Sequence, residues 1–298
     1  MDPTPTLISR RSSKQIVERI MNAIFLICGI TAVIVVIAMT FYIVISGWPA
    51  ISKIGLFKFL GGQVWNPENS EFGIAPMILA SILATFSAIV IALSVGVVVA
   101  VYLAKLAPSR ISTLLRMVID LLAGIPSVVY GLLGAIVIVP LIFDLQTSFG
   151  LPTSGSLLAA IIILTIMILP TIISVSETAI RAVPLYYGDA SLALGSTKLQ
   201  AIIHVIVPAA KSGIVAGMVL GVGRAIGEAM AVIMVAGNAA IMPEFLRPAR
   251  LLTASIPIEW AYSSGLHREA LYGIGLVLFV FIMIINILLN AVMKKDVK

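Results

Sequence analysis

The sequence predicts an all-α polytopic membrane protein, a helical bundle with six transmembrane helices. Two observations lead there. Of the 298 residues, 60% are hydrophobic and 11% are charged, against roughly 45–50% and about 25% in ordinary soluble domains. The charges also leave six apolar stretches, and Lys and Arg gather in alternate connections between them. A water-soluble globule is excluded.

A hydrocarbon core of roughly 30 Å needs about 20 apolar helical residues. The stretches at about 21–46, 73–104, 121–143, 157–175, 213–236 and 271–292 meet that need. Residues 1–20 read as a basic cytoplasmic arm, 21–292 as a single transmembrane domain and 293–298 as a cytoplasmic tail. The first stretch follows a 20-residue basic arm and has no small-residue cleavage site before Trp48-Pro49, so it is expected to be a retained span. Gly73 and Pro76 mark either an interfacial lead-in to the second span or the start of a tilted helix. The third opens Asp120-Leu-Leu-Ala-Gly-Ile-Pro126-Ser127-Val-Val-Tyr-Gly131; Pro126 removes a helix donor and frees a carbonyl one turn earlier, predicting a kink or unwound segment. Residues 176–212 read as a cytoplasmic loop of short amphipathic helices, with Leu192, Leu194, Leu199, Ile202, Ile203 and Ile206 suitably spaced. Residues 237–270, with Pro243, Pro248 and Pro257, read as a partly irregular outer loop.

Orientation follows from the basic residues. Thirteen Lys and Arg fall on the side of both termini and five on the other, with Arg224 inside a span. Both termini and the 176–212 loop are therefore expected in the cytoplasm, in a multi-pass protein of the cytoplasmic or inner membrane. The net charge of +6 is thus explained by topology, and no nucleic-acid partner is expected; the surrounding partner is lipid. Cys28 has no second cysteine to pair with. His204 and His267 lack neighbouring ligands in sequence and read as solvated loop histidines, so no metal site is expected. No P-loop is present, and Leu60-Gly61-Gly62-Gln63 reads as a turn. This chain is therefore expected to hold no cofactor and to be no enzyme; energy from ATP has to come from a partner.

Two constellations carry function. Before the fifth span stand Asp189-Ala190-Ser191, then Gly195 after three intervening residues, and Val205-Ile206-Val207-Pro208 after nine more. An acidic helix start, a glycine-permitted bend and a second apolar helix make a compact knob able to fill a groove on a partner; the competing reading is a linker helix on the membrane surface. Within the fifth span lie Arg224 and Glu228, four residues apart. A lone arginine at the bilayer centre costs roughly 2.5–3.5 kcal/mol on insertion scales. On a continuous helix Gly213, Gly217, Gly221, Arg224 and Glu228 share an arc of roughly 80°, with Gly227 beside it, so the pair is expected at a helix interface or polar cavity. It is either a structural lock between helices or part of a path for an oxyanion, which a forked guanidinium suits.

The 189–208 spacing resembles the EAA loop of ABC importer permeases, with Asp189, Ser191, Val205 and Val207 departing conservatively from the family pattern. Ile125-Pro126-Ser127-Val128-Val129-Tyr130-Gly131, Arg224-Ala-Ile-Gly227-Glu228-Ala-Met-Ala-Val232 with Gly237-Asn238, and Trp65-Asn66-Pro67 to Phe72-Gly73 resemble the PstC-type permease subunit of phosphate-specific ABC importers. The resemblance runs from about 20 to 292. It implies the type I importer (MetI-like) architecture, an ATPase contact at Asp189, Ala190, Gly195, Val205 and Pro208, and a pathway role for Arg224 and Glu228. Gly217, Gly221, Gly227, Pro126 and Ser127 would support that pathway. It further implies a PstA-like second permease, two copies of a PstB-like ATPase holding ATP and Mg, and a PstS-like extracytoplasmic phosphate-binding protein. Another oxyanion or the PstA-type sister role remains the alternative. From a different class, a secondary anion transporter or channel would need coupling groups and no docking knob.

Overall fold

The computed structural model describes residues 8–151 and 153–295. Positions 1–7 of the expected arm and 296–298 of the expected tail lie outside the described residues. In chain order the elements are α1 (Ile8–Ile54), α2 (Leu56–Gly61), β1 (Trp65–Asn66), β2 (Glu71–Phe72), α3 (Ala75–Val101), α4 (Ser109–Gly124), α5 (Ser127–Leu133) and α6 (Val139–Ser148). They continue with α7 (Leu157–Ala182), α8 (Leu185–Ala193), α9 (Lys198–Ala201), α10 (Val207–Ala209), α11 (Lys211–Gly227), α12 (Met230–Val235), α13 (Leu252–Glu259) and α14 (Gly265–Lys295).

Among the described residues five helical segments are long and apolar enough to cross a membrane: Val17–Ile54, Ala75–Leu106, Ser127–Ser148, Leu157–Ala182 and Gly265–Leu288. A sixth arises if Lys211–Gly227 is joined to Lys198–Ala209, from which it bends by 66°. The boundaries move in physically legible ways. Helix α1 runs through Pro49 to Ile54 and reaches back to Ile8, so much of the expected arm is helical. The third span starts at Ser127 rather than 121, because Pro126 ends one helix and opens the next. Helix α7 continues to Ala182, so residues 176–182 belong to it and not to the loop. The fifth is no continuous 213–236 helix but α11 and α12, separated at Glu228 and Ala229.

The centre is built on α3 against α7. Ala80, Ala84, Ala88 and Ala92 recur at every fourth position with no exposure. Small side chains at that spacing let the backbones approach, and Leu157, Ile161, Leu164, Ile168 and Ile172 of α7 fill the facing side. At one end the tail of α3, the end of α7 and the 202–210 segment share Ala100, Leu103, Ile180, Val183, Ile202 and Ile206. At the other end α1, α2, the hairpin, α13 and α14 share Ala50, Phe59, Phe72, Ile74, Leu252 and Leu271. The hairpin pairs Trp65 with Phe72 and Asn66 with Glu71; Gly62 and Gly73 cross beneath it so closely that a Cβ on Gly73 would meet Gly62 at 2.3 Å. Helix α1 packs on α14 near its end, where a Cβ on Gly47 would lie 2.7 Å from the Tyr272 carbonyl oxygen. Along its most apolar 18-residue window, by contrast, no residue is buried among the described residues.

Candidate functional site

Two interrupted helices meet in the centre of the bundle. Helix α4 stops at Gly124, Ile125 and Pro126 are extended, and α5 begins at Ser127. Pro126 has no N–H to give the Leu122 carbonyl, and the Tyr130 hydroxyl donates to that oxygen at 2.8 Å. The unwound alternative for Pro126 is thus the one realised, and Tyr130 takes up the freed acceptor. Just past the two breaks α5 crosses α12: a Cβ on Gly131 would stand 2.8 Å from the Ala231 Cα. Both halves run to the same end, where the Ser156 amide donates to Val235 O at 3.0 Å and Gln146 Nε2 to Leu246 O at 2.8 Å. Pro126-Ser127 and Gly227-Glu228 are thus the two breaks that precede this crossing.

The second break changes the expected pair. Glu228 is extended, with φ −76° and ψ 123°, so it leaves the face that carries Arg224. Its Oε1 accepts the Ala231 amide at 3.0 Å, capping the short helix α12, and its carbonyl accepts the Thr253 hydroxyl at 2.8 Å. Arg224 turns to α7, where Nη1 donates to Thr171 Oγ1 at 3.5 Å, the long limit of a hydrogen bond. Arg224 and Glu228 thus form no ion pair, contrary to the helical i,i+4 expectation. Gly221, Gly223 and Gly227 weaken the helix before the break, and the cap and the Thr253 bond hold the separated form.

The glycine stripe is used inside the chain. Cβ atoms on Gly213, Gly217 and Gly221 would meet Ala179, Val175 and Ile172 of α7 at 2.2, 3.3 and 3.0 Å. Gly227 faces open space and supports no helix contact in this chain. Ser127 is half-buried and Pro126 exposed at the first break.

The 183–210 segment forms a helix-turn-helix. Pro184 is the N-cap of α8, so Asp189 lies within that helix and not at its start. Gly195 has φ +90°, the left-handed conformation that glycine takes without strain. Thr197 and Gln200 close a capping box on α9. Ile202 and Ile206 are buried while Leu194 is 91% and Leu185 76% exposed; Asp189, Ala190 and Pro208 are also exposed, and Val205 is half-buried. The knob thus shows an apolar tip. Beside it, a hydrogen-bonding contact with Tyr187 raises the Tyr186 phenol above its ordinary range.

Three polar groups escaped the sequence reading. Glu177 is buried in α7 and binds Arg116 of α4 at 2.6 Å and Arg181 at 2.9 Å; Arg181 also donates to Leu103 O at 2.7 Å. Its mark in sequence was the Glu-x-x-x-Arg spacing, hidden by placing 176 onward in a loop. Thr171 follows Pro170 in mid-span. His267, expected to be solvated, donates to or accepts from Glu259 at 2.7 Å with 18% exposure. No group of three metal-ligating side chains exists among the described residues.

The family described as "Binding-protein-dependent transport system inner membrane component" matches residues 96–295. The probable ABC transporter permease protein YqgH of Bacillus subtilis (strain 168) is 36% identical over 97% of this chain and 96% of its own length. The phosphate transport system permease protein PstC of Pasteurella multocida (strain Pm70) is 34% identical over 85% of this chain and 86% of its own. In structure, a chain of the inward-facing MetNI methionine ABC transporter superposes with TM-score 0.58 at 20% identity, covering 78% of this chain and 99% of that one. A pair of interrupted helices, a helix-turn-helix knob and these likenesses converge: this multi-pass membrane chain belongs to the family of binding-protein-dependent transport system inner membrane components, the permeases of ABC transporters.

Proposed function

We propose that this chain is the PstC-like permease of an ATP-driven importer for inorganic phosphate, forming half of the translocation pathway. The observation that carries the reading is Arg224: a guanidinium in mid-span, one turn before the helix break at Glu228, with one long hydrogen bond to Thr171 and no carboxylate partner. A forked, permanently charged donor left in that state suits an incoming tetrahedral oxyanion, and the relatives named for phosphate transport favour phosphate. A PstA-like permease would complete the pathway and a PstS-like protein deliver the anion. Two PstB-like ATPases would bind ATP and Mg and dock on the 189–208 knob in the cytoplasm, where both termini also lie. This chain itself would need no cofactor. A single weak site lets the anion leave, and motion of Glu228 about its extended backbone brings a competing carboxylate toward Arg224 or withdraws it.

The test is ATP-dependent uptake of labelled phosphate by the complete complex in proteoliposomes, with sulfate as competitor. Arg224→Gln should abolish uptake in complexes that still assemble, and Arg224→Lys should restore only part of it, because a point charge makes no bidentate contact. Combining Arg224→Glu with Glu228→Arg should leave uptake absent. Near-normal uptake in that exchanged protein would overturn the pathway role, and equal competition by sulfate would overturn phosphate selectivity.

A further inference from the structure

At the hairpin end of the bundle a half-buried carboxylate gathers four separate pieces of chain. Glu259 closes α13 with its side chain 16% exposed. It accepts from Trp65 Nε1 of the hairpin at 2.9 and 3.1 Å, meets His267 Nε2 of α14 at 2.7 Å and is ion-paired with Arg250 Nη1. Arg250 also donates through Nε to the Asn238 carbonyl at 2.8 Å. Asn238 is left-handed at φ 55°, and its Nδ2 donates to Ile233 O at 2.7 Å, satisfying a last-turn carbonyl of α12. At the opposite end of α12, Thr253 of α13 holds the Glu228 carbonyl.

These bonds tie α12 to α13 at both ends. The link at one end is Thr253 to Glu228, and at the other Glu259 through Arg250 and Asn238 to Ile233. Hairpin, α13 and α12 are thereby fastened together, whereas α11, carrying Arg224, packs chiefly on α7 and passes into α12 through the extended Glu228 and Ala229. We infer that Glu259 is a positioning residue: through Arg250 and Asn238 it sets the place of α12, and with it the distance of the Glu228 carboxylate from Arg224. This deepens, and rests on, the proposed pathway role of Arg224. None of Glu259's partners bonds Arg224, whose side chain reaches Thr171, so the effect falls on turnover and not on capture. Arg250 is the bridge because its planar fork serves two acceptors at once; a lysine ammonium keeps the charge but cannot span both in this geometry.

The inference is tested by hydrogen–deuterium exchange and uptake on the complete complex carrying Glu259→Gln, Arg250→Lys or Trp65→Phe. Amides in 229–240 should exchange about fivefold faster in Glu259→Gln and in Arg250→Lys, with α3 unchanged as the internal reference. A merely local role would loosen the hairpin and the start of α14 and leave 229–240 as it was, and that result overturns the inference. Maximal phosphate uptake per assembled complex should fall about tenfold with half-saturating phosphate within about twofold of native, as expected of a misplaced group remote from the ligand. Trp65→Phe, which removes one donor and keeps the ring, should show the same split more weakly. Native turnover in Arg250→Lys would overturn the inference. If the native complex takes up no phosphate the transport reading fails by itself, while exchange in 229–240 still decides the fate of the knot.

Discussion

Glu228 offers two separable properties, a negative charge and an oxygen that accepts the Ala231 amide at 3.0 Å. Substitution can divide them. Glu228→Gln keeps an acceptor for the cap and loses the charge, whereas Glu228→Ala loses both. The alanine variant should lower stability by about 1 kcal/mol, the usual worth of an N-terminal cap, read as a lower thermal midpoint of the purified complex, and the glutamine variant should melt near the native temperature. If the charge acts in anion release, Glu228→Gln should nonetheless slow uptake. Equal melting of the two variants would remove the capping role. The sequence made the charged pair visible but not its geometry. Four-residue spacing equals proximity only while the helix continues, and no pattern in Gly227-Glu228-Ala229 announces that Thr253, 25 residues on, will hold the break open. Pro126 was more legible, because a missing N–H is a property of the residue itself and predicts the freed Leu122 carbonyl to which the Tyr130 hydroxyl donates.

At the scale of elements, the α7–α11 contact and the α8–α9 knob use glycine for different reasons, and substitution separates them. Gly213 is a matter of space, since a Cβ there would stand 2.2 Å from the Ala179 Cβ. Gly213→Val should force the helices apart and lower stability by about 1–3 kcal/mol, in the range of overpacked cores, measured as a lower thermal midpoint and less assembled complex. Gly227→Ala, with nothing near its Cβ, should leave the isolated chain's midpoint unchanged or slightly raised. Gly195 is a matter of conformation: its φ of +90° is strained for any side chain, and a β-branched one resists it most. Gly195→Val should spare membrane insertion and diminish ATPase retention in pull-down and ATP-driven uptake together; full uptake would count against the knob as a docking element. The knob was readable because turn chemistry is local, down to the positive φ. Its buried side was only half readable, since Ile202 and Ile206 face the core while Leu192, Leu194, Leu199 and Ile203 are exposed, a division set by the ends of α3 and α7 and not by the loop's own pattern.

Across the whole molecule, charge divides by end as the bilayer requires. On the six-span topology expected from the sequence, the side assigned to both termini and the knob carries thirteen basic and six acidic residues, and the other side five basic and six acidic. On the latter side three of the five cations are matched to carboxylates, Lys53 to Glu269, Arg247 to Glu244 and Arg250 to Glu259; orientation, however, follows the excess of Lys and Arg alone. The knob's end, with its surplus of Lys and Arg, should therefore be inside. Cysteine scanning in intact cells decides this, after Cys28, which is exposed on α1, has been replaced. Leu194→Cys, at a tip 91% exposed, should stay unlabelled by an impermeant thiol reagent until the membrane is opened, then react fully. Ser264→Cys, exposed between Tyr262 and α14, should react in intact cells once the outer membrane or wall admits the reagent. Labelling of Leu194→Cys from outside would invert the orientation, and with it both the docking of an ATPase on the knob and the assignment of the Glu259 knot to the outer face.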